Sequence, residues 1–438
     1  MAAAIDSPPV HPSTTLVNVA EDADARLVRV LAPGTSDPAK FEAACGTAVS
    51  NGDAAALLGT MVSSGAIAGL LGDAYTVDEA VSAFSLLTVY LNRVGDGGSA
   101  RELCKSLADE VGRAAGGDDA KRKEKQSAMV AALFNLRNDA GEKVELLAKI
   151  IDLADVSAVS PGQPKGVAVL ADLLESNVLK STMKLWGETT TNTELRSLYK
   201  SVTKAMERVL AKLSKDDQED KTIALKIKKT EERKQTYMLH FLETYTDESS
   251  LDSDANTYAQ EAATGAIRDP INLFSTQRGI LGLPAISALQ KSQPDLYDLL
   301  KIFVSGKLQD YRDFTNMPDK MAVFSAYNLS EDDCTKNMSL LSLVSLAGEH
   351  EEIPYSEIAS TLSVEEDDVE KWVIAAVASG LMEAKMDQLS KVVIVERCAV
   401  RQFGTKEWSA LKIRLEKYKT NVKGVLDALE KSSALTEG

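Results

Sequence analysis

Apolar residues recur along most of the chain at the three- and four-residue spacing of helices. Val81, Phe84, Leu87 and Leu91 follow Asp78-Glu79, acids suited to a helix start, and the stretch stops at Gly95-Asp96-Gly97-Gly98. Leu103, Leu107 and Val111 form the next stripe before Gly116-Gly117; Met129, Leu133, Phe134 and Leu136 form another. Val144, Leu147, Ile150 and Ile151 lead to the breaker Ser160-Pro161-Gly162-Gln163-Pro164, and Val169, Leu170, Leu173 and Leu174 follow it. A short amphipathic helix buries its stripe only against its neighbours, so this density of helices predicts a right-handed α-solenoid. No tetratricopeptide or HEAT consensus is satisfied.

The uncharged run Ala54 to Gly72 is nearly long enough to cross a bilayer. Four glycines with Thr60, Ser63 and Ser64 dilute it, and Ser63-Ser64-Gly65 reads as a turn between two short helices. The Gly65/Gly69 spacing then permits close helix contact in a water-soluble body.

After Lys336 the pattern changes to helix, helix, helix, hairpin, helix. A helix is expected over 337–347, then a short one led in by Ile353-Pro354 with Ile358, Ala359 and Leu362. Ser363 and Glu366 have capping-box spacing for the next, which carries Val369, Trp372, Val373, Ala376 and Val377 and ends at Gly380. Leu381 to Met386 and Val392 to Val395 read as a hairpin around the loop Asp387 to Ser390. This order is a winged helix. Its third helix opens with Glu365-Glu366-Asp367-Asp368, four carboxylates that would repel the phosphates such a helix meets in DNA. The β-branched residues Val392, Val393, Ile394 and Val395 suit either a sheet edge that pairs with another chain or a strand buried in its own domain.

Trp408, Leu411, Leu415, Tyr418, Val422, Val425 and Leu429 then form one unbroken heptad stripe. It outlasts the small domain before it, so the expectation is a bundle with helices of other subunits. Between Arg401 and Lys431 there are eight Lys or Arg against four Asp or Glu, which makes this helix basic in an acidic protein.

The boundaries that follow are a leader over 1–13, a helical-repeat solenoid over 14–334, a winged helix over 335–400, a bundle helix over 401–431 and a disordered tail over 432–438. The chain has 438 residues and a net charge of -16, the wrong sign for broad coating of nucleic acid. One local exception is the cluster Lys226, Lys228, Lys229, Arg233 and Lys234, a solvated helix face or a contact for RNA or an acidic partner. Four scattered cysteines fit a reducing, cytoplasmic compartment.

Catalytic patterns do not emerge. No phosphate-binding glycine motif or serine elbow occurs, and His11, His240 and His350 have no partner at metal-ligand spacing. No catalytic, cofactor or metal site is expected, and no small-molecule substrate.

Helical repeats, a winged helix and a long terminal helix resemble the PCI proteins, scaffolding subunits of the proteasome lid, the COP9 signalosome and eukaryotic translation initiation factor three. The segments Asp298 to Leu308, Asp367-Asp-Val-Glu with Trp372-Val-Ile-Ala-Ala376, Met386-Asp-Gln388, Lys391-Val-Val-Ile-Val395 and Arg401-Gln-Phe-Gly404 with Trp408 are similar to those of an initiation-factor-three subunit, with the PCI module over roughly 215–400. Leu16 to Asp22 is a further short anchor of the likeness, and the stretch around 205–236 is an expansion relative to it. The resemblance implies a non-catalytic scaffold whose partners are other PCI and MPN-type subunits and, through the complex, the small ribosomal subunit, in support of messenger RNA recruitment and scanning. It implies no membrane. A signalosome subunit and a direct RNA binder are the competing readings.

Overall fold

The computed structural model describes residues 23–95, 97–113, 119–154, 190–213, 221–271, 279–401 and 405–436, with Leu174, Met183 and Trp186 between them. The leader over 1–13 with His11, the Leu16 to Asp22 segment, the Gly116-Gly117 stop, the proline breaker and the stripe residues Val169 to Leu173 lie outside the described residues. The chain divides into two compact units, residues 1–244 and 245–438.

In the first unit the stripes fold as helices Val77–Val94, Gly98–Arg113, Asp119–Leu136 and Ala140–Leu153. Phe84, Leu87, Leu107, Val111, Met129 and Leu133 are fully buried in one apolar core. Thr76 closes a capping box on the first of these: Glu79 N–H donates to Thr76 Oγ1 at 3.3 Å, and Thr76 N–H donates back to Glu79 Oε2 at 2.9 Å. The uncharged run is split as its turn residues require, into Ala54–Ser63 and Ala66–Leu70, with Gly65 at φ +70° between them. Gly69 serves close approach as well, since a Cβ there would sit 2.7 Å from the Gly34 Cα. Helix Asn192–Leu213 packs on both Ala140–Leu153 and Lys221–Glu243, continuing the stack.

Among the described residues of this unit, one ion pair has both side chains buried. Arg137 meets Glu142 through both Nε and Nη2, both side chains being buried, and its Nη1 donates to Gly95 O at 3.3 Å. Forked geometry of this kind is what makes a buried charge tolerable.

In the second unit, helices Ser253–Arg268, Pro284–Ser292, Pro294–Ser305 and Leu308–Thr315 lead to helix Glu331–Glu349. The last begins six residues before the apolar pattern does, because Ser330 Oγ accepts from Asp333 N–H and three acids sit favourably in its first turn. Ile353-Pro354 leads into helix Tyr355–Leu362 as expected, Pro354 being its N-cap, and also forms part of a strand the sequence did not show, β1, Glu352–Pro354. The Ser363/Glu366 capping box does not form. Ser363 sits instead at φ +54° and ends the preceding helix, whose Ala359 carbonyl accepts from Val364 N–H at 3.0 Å, the closure of a Schellman turn. A 3-10 turn over Glu366–Asp368 then leads into helix Val369–Ala378, and Gly380 at φ +74° follows it as expected.

The hairpin comprises β2, Met382–Asp387, and β3, Val392–Cys398. The sheet order is β1-β3-β2, both pairings antiparallel. Ile353, Ile358, Leu362, Val369, Val373, Ala376 and Val393 form the winged-helix core with Leu343 and Val344 of helix Glu331–Glu349. Beyond it runs one helix, Thr405–Thr436, so residues 432–436, expected as tail, continue the helix. The fold is mostly α, helical repeats followed by a winged helix and a long terminal helix.

Candidate assembly interface

The strand order corrects one expectation. Val392 to Val395 cannot offer an open edge, because β3 is the middle strand and spends its backbone groups on β1 and β2. Pleating also divides the four residues: Val393 is fully buried and Val395 packs against the core, whereas Ile394 faces outward, between Glu352 on β1 and Lys385 on β2. The edges belong to β1, three residues ending in proline, and to β2. A six-residue edge broken by a bulge between Glu383 and Ala384 is the longer of the two.

Sequence periodicity overlooked Leu389 and Ile374 near this sheet and grouped Val377, which is exposed, with the apolar stripe of its helix. Leu389, at the hairpin tip, is 99% exposed, although its backbone is held: Asp387 Oδ1 accepts from the N–H of Leu389 at 3.0 Å and of Ser390 at 3.1 Å. Those bonds, chiefly the one from Ser390, hold the Asp387 carboxyl below its ordinary range. Ile374 and Val377 are exposed on helix Val369–Ala378, the element that carries basic residues in a nucleic-acid reader. Its acidic entry is paired locally, Asp368 with Lys371 at 2.6 Å and Glu366 with Lys391 at 2.8 Å, and each carboxylate raises the pKa of its lysine.

The terminal helix carries the clearest surface. Trp408 is 61% exposed, Leu415 58%, Tyr418 69% and Val422 50%, with Leu411 and Val425 exposed beside them. The side chain of Leu429 lies outside the described residues. Trp408, Leu411 and Leu415 share a shallow groove with Lys412, Glu416 and Lys419. A stripe that folding would normally bury therefore stays on the surface of this chain.

The basic cluster lies on helix Lys221–Glu243. Lys226, Lys228 and Lys229 are exposed; Arg233 and Lys234 are half-buried, Lys234 pairing with Glu207 at 3.1 Å. Burial lowers the Arg233 pKa. The structure thus brings three of the five to open surface and folds the other two into the helical stack.

Both described histidines have local partners. His240 stacks on Tyr199 at 5.6 Å with its Nδ1 3.2 Å from Glu243, and His350 lies 3.7 Å from Glu357. Burial pushes the Cys45 and Cys104 thiols up to about 11 and Cys334 up to about 12, which leaves them protonated at neutral pH. Among the described residues no three His, Cys, Asp or Glu side chains converge as metal ligands, and no described helix is long and apolar enough to cross a membrane.

The PCI domain family matches residues 308–397, from helix Leu308–Thr315 to the end of β3. Among curated proteins, eukaryotic translation initiation factor 3 subunit M of Dictyostelium discoideum is 34% identical over 203 residues, covering 44% of this chain and 48% of that protein. The subunit M protein of Nematostella vectensis is 33% identical over 207 residues, 47% of this chain and 52% of that one. The chain spans about half the length of the curated relatives it matches.

Proposed function

We propose that this PCI-domain chain is a non-catalytic scaffold subunit of eukaryotic translation initiation factor 3, acting in the cytoplasm as the counterpart of the subunit M proteins it resembles. The observation that carries the reading is the exposed stripe from Trp408 to Val425 on a helix that outruns its domain. Water-exposed Trp, Tyr, Leu and Val in heptad register are the raw material of a helical bundle, and the basic residues flanking them favour acidic neighbours. The winged helix supplies a second contact, made by the β2 edge, Ile394 on the outer sheet face and the Leu389 tip rather than by the backbone of β3. Both contacts join the chain to other PCI and MPN-type subunits. Through that complex it supports small-ribosomal-subunit binding, messenger RNA recruitment and scanning.

Affinity purification of the tagged full chain from cells, followed by mass spectrometry, tests this reading. Stoichiometric recovery of initiation-factor-3 subunits with ribosomal proteins is the expected result. Recovery of COP9 signalosome subunits in their place, or of the chain alone, would overturn it.

A further inference from the structure

Two segments that share no local pattern meet at one side chain. Arg401 follows the sheet and precedes the terminal helix by four residues, and its guanidinium reaches back about a hundred positions along the chain. Nη2 donates to Phe303 O at 2.7 Å and Ile302 O at 3.3 Å; Nη1 donates to Gly306 O at 3.0 Å and Ser345 Oγ at 3.0 Å. The three carbonyls belong to the last turn of helix Pro294–Ser305 and the glycine that follows it, where a cation is favoured by the helix dipole; Ile302 O also accepts from Gly306 N–H at 2.7 Å. Ser345 is oriented to accept, because its hydroxyl proton is given to Leu341 O at 2.9 Å.

The glycine at 306 belongs to the arrangement. Its φ of -78° is open to any residue, so conformational freedom is not the reason for it. Space is: a Cβ at this position would lie 2.9 Å from both Cα and O of Ile302, one of the carbonyls Arg401 holds. The guanidinium is withdrawn from water far enough to bring its pKa down to about 10, still cationic at neutral pH. Four acceptors on two helices are engaged by one planar fork, which a lysine's single ammonium cannot reproduce.

We propose that Arg401 is a positioning residue for assembly: by tying the chain to the end of helix Pro294–Ser305 and to helix Glu331–Glu349, it fixes the root of helix Thr405–Thr436 and hence the direction in which its apolar stripe is presented. The idea deepens the scaffold reading and rests on it for its purpose, though not for its test. A helix anchored at its root meets a bundle with less orientational freedom left to lose, which favours association without adding a contact.

The test uses the full chain alone, so it is independent of any partner. Spin labels at Lys336→Cys, on helix Glu331–Glu349, and Lys417→Cys, on the terminal helix, are introduced with Cys398→Ser, and their separation is measured by double electron–electron resonance. A single narrow distance distribution is expected with Arg401 in place, at least twofold broader with Arg401→Ala and intermediate with Arg401→Lys. An Arg401→Ala distribution as narrow as the parent's, even with a lowered melting temperature, would reduce Arg401 to a stability residue and overturn the proposal; so would a parent distribution that is already broad. Should Arg401→Ala fail to fold, Arg401→Lys decides in the same way, broadening supporting the proposal and an unchanged width refuting it. A narrow parent distribution in a chain that recovers no partners would sink the interface reading and leave this one standing.

Discussion

Replacing Leu411, Leu415 and Val422 together by Asp separates an exposed interface from an internal packing face. Fully burying a Leu or Val contributes roughly 1.5–3 kcal/mol. Leu415 and Val422 retain 58% and 50% of their surface in the folded chain and Leu411 36%, so these three have about 2–4 kcal/mol of burial still to gain in a bundle. Placing carboxylates in such a seam adds a desolvation cost on the order of 1–3 kcal/mol for each poorly paired group. The combined loss, about 5 kcal/mol or more, weakens association by over a thousandfold, at about 1.4 kcal/mol per tenfold. The folded body should scarcely notice, because exposed substitutions fall within about 0.5 kcal/mol. A triple control at Ser409, Ile413 and Thr420, also to Asp, adds the same number of carboxylates to the other side of the helix and carries a similar helix-propensity cost. The assay follows tagged variants, expressed beside the untagged chain, into the assembled fraction on size-exclusion chromatography, with calorimetric melts of each purified variant. The stripe variant should run unassembled with the body's melting transition in place, and the control should assemble. Undiminished assembly of the stripe variant, or a melting transition lowered by many degrees, would refute the reasoning, the second by showing that the stripe packs on its own chain.

Other expectations concern the fold itself. Thr76→Ala, by opening the capping box, should cost about 1 kcal/mol in a denaturant titration. The Thr76 backbone and hydroxyl hold the Glu79 carboxyl below its ordinary pKa, a contribution present above the unfolded value and lost as the pH falls through the folded one. The gap between wild type and Thr76→Ala should therefore narrow below about pH 4, and a gap independent of pH would show that the bond from the Thr76 hydroxyl to the carboxylate plays no part, the backbone bond being common to both proteins. Arg137→Met leaves Glu142 buried without its cation and should destabilise the first unit by about 3–5 kcal/mol in chemical unfolding; a change under about 1 kcal/mol would mean that water reaches the carboxylate. Val393→Asp should unfold the winged helix, as seen by loss of dispersed amide resonances, whereas Ile394→Asp should leave them in place.

Features carried by local pattern were legible in the sequence. The turn at Ser63-Ser64-Gly65, the helix beginning near Asp78, the glycine after helix Val369–Ala378 and the hairpin around Asp387 each depend on residues within a few positions of one another. What escaped depends on distant partners or on competition. Strand β1 is three residues long, too short for an alternating pattern, and is held by pairing with β3 some forty residues on. That same pairing makes β3 central and removes the open edge its β-branched run suggested. Ser363 carries a valid capping signal for the following helix, yet the preceding helix uses it first, with Arg312 donating to its Oγ at 2.7 Å and to Leu362 O at 3.1 Å. In the candidate interface, the heptad of the terminal helix could be read directly, but whether it was covered could not. Leu389 gave no signal, because one leucine in a polar loop has no periodicity to stand out from. Arg401 looked like one cation among the basic residues of the terminal helix until folding set it on the end of another helix.

The central claim is that the Trp408–Val425 stripe is exposed on the isolated chain and covered in the complex. Hydroxyl-radical footprinting reads this at two side chains, comparing oxidation of Trp408 and Tyr418 in the purified chain with that in the native assembly, and using the exposed Met317 as an internal reference. Both aromatics should oxidise readily in the isolated chain and fall severalfold on assembly. Equal oxidation in the two states, or protection already present in the isolated chain, would contradict the account.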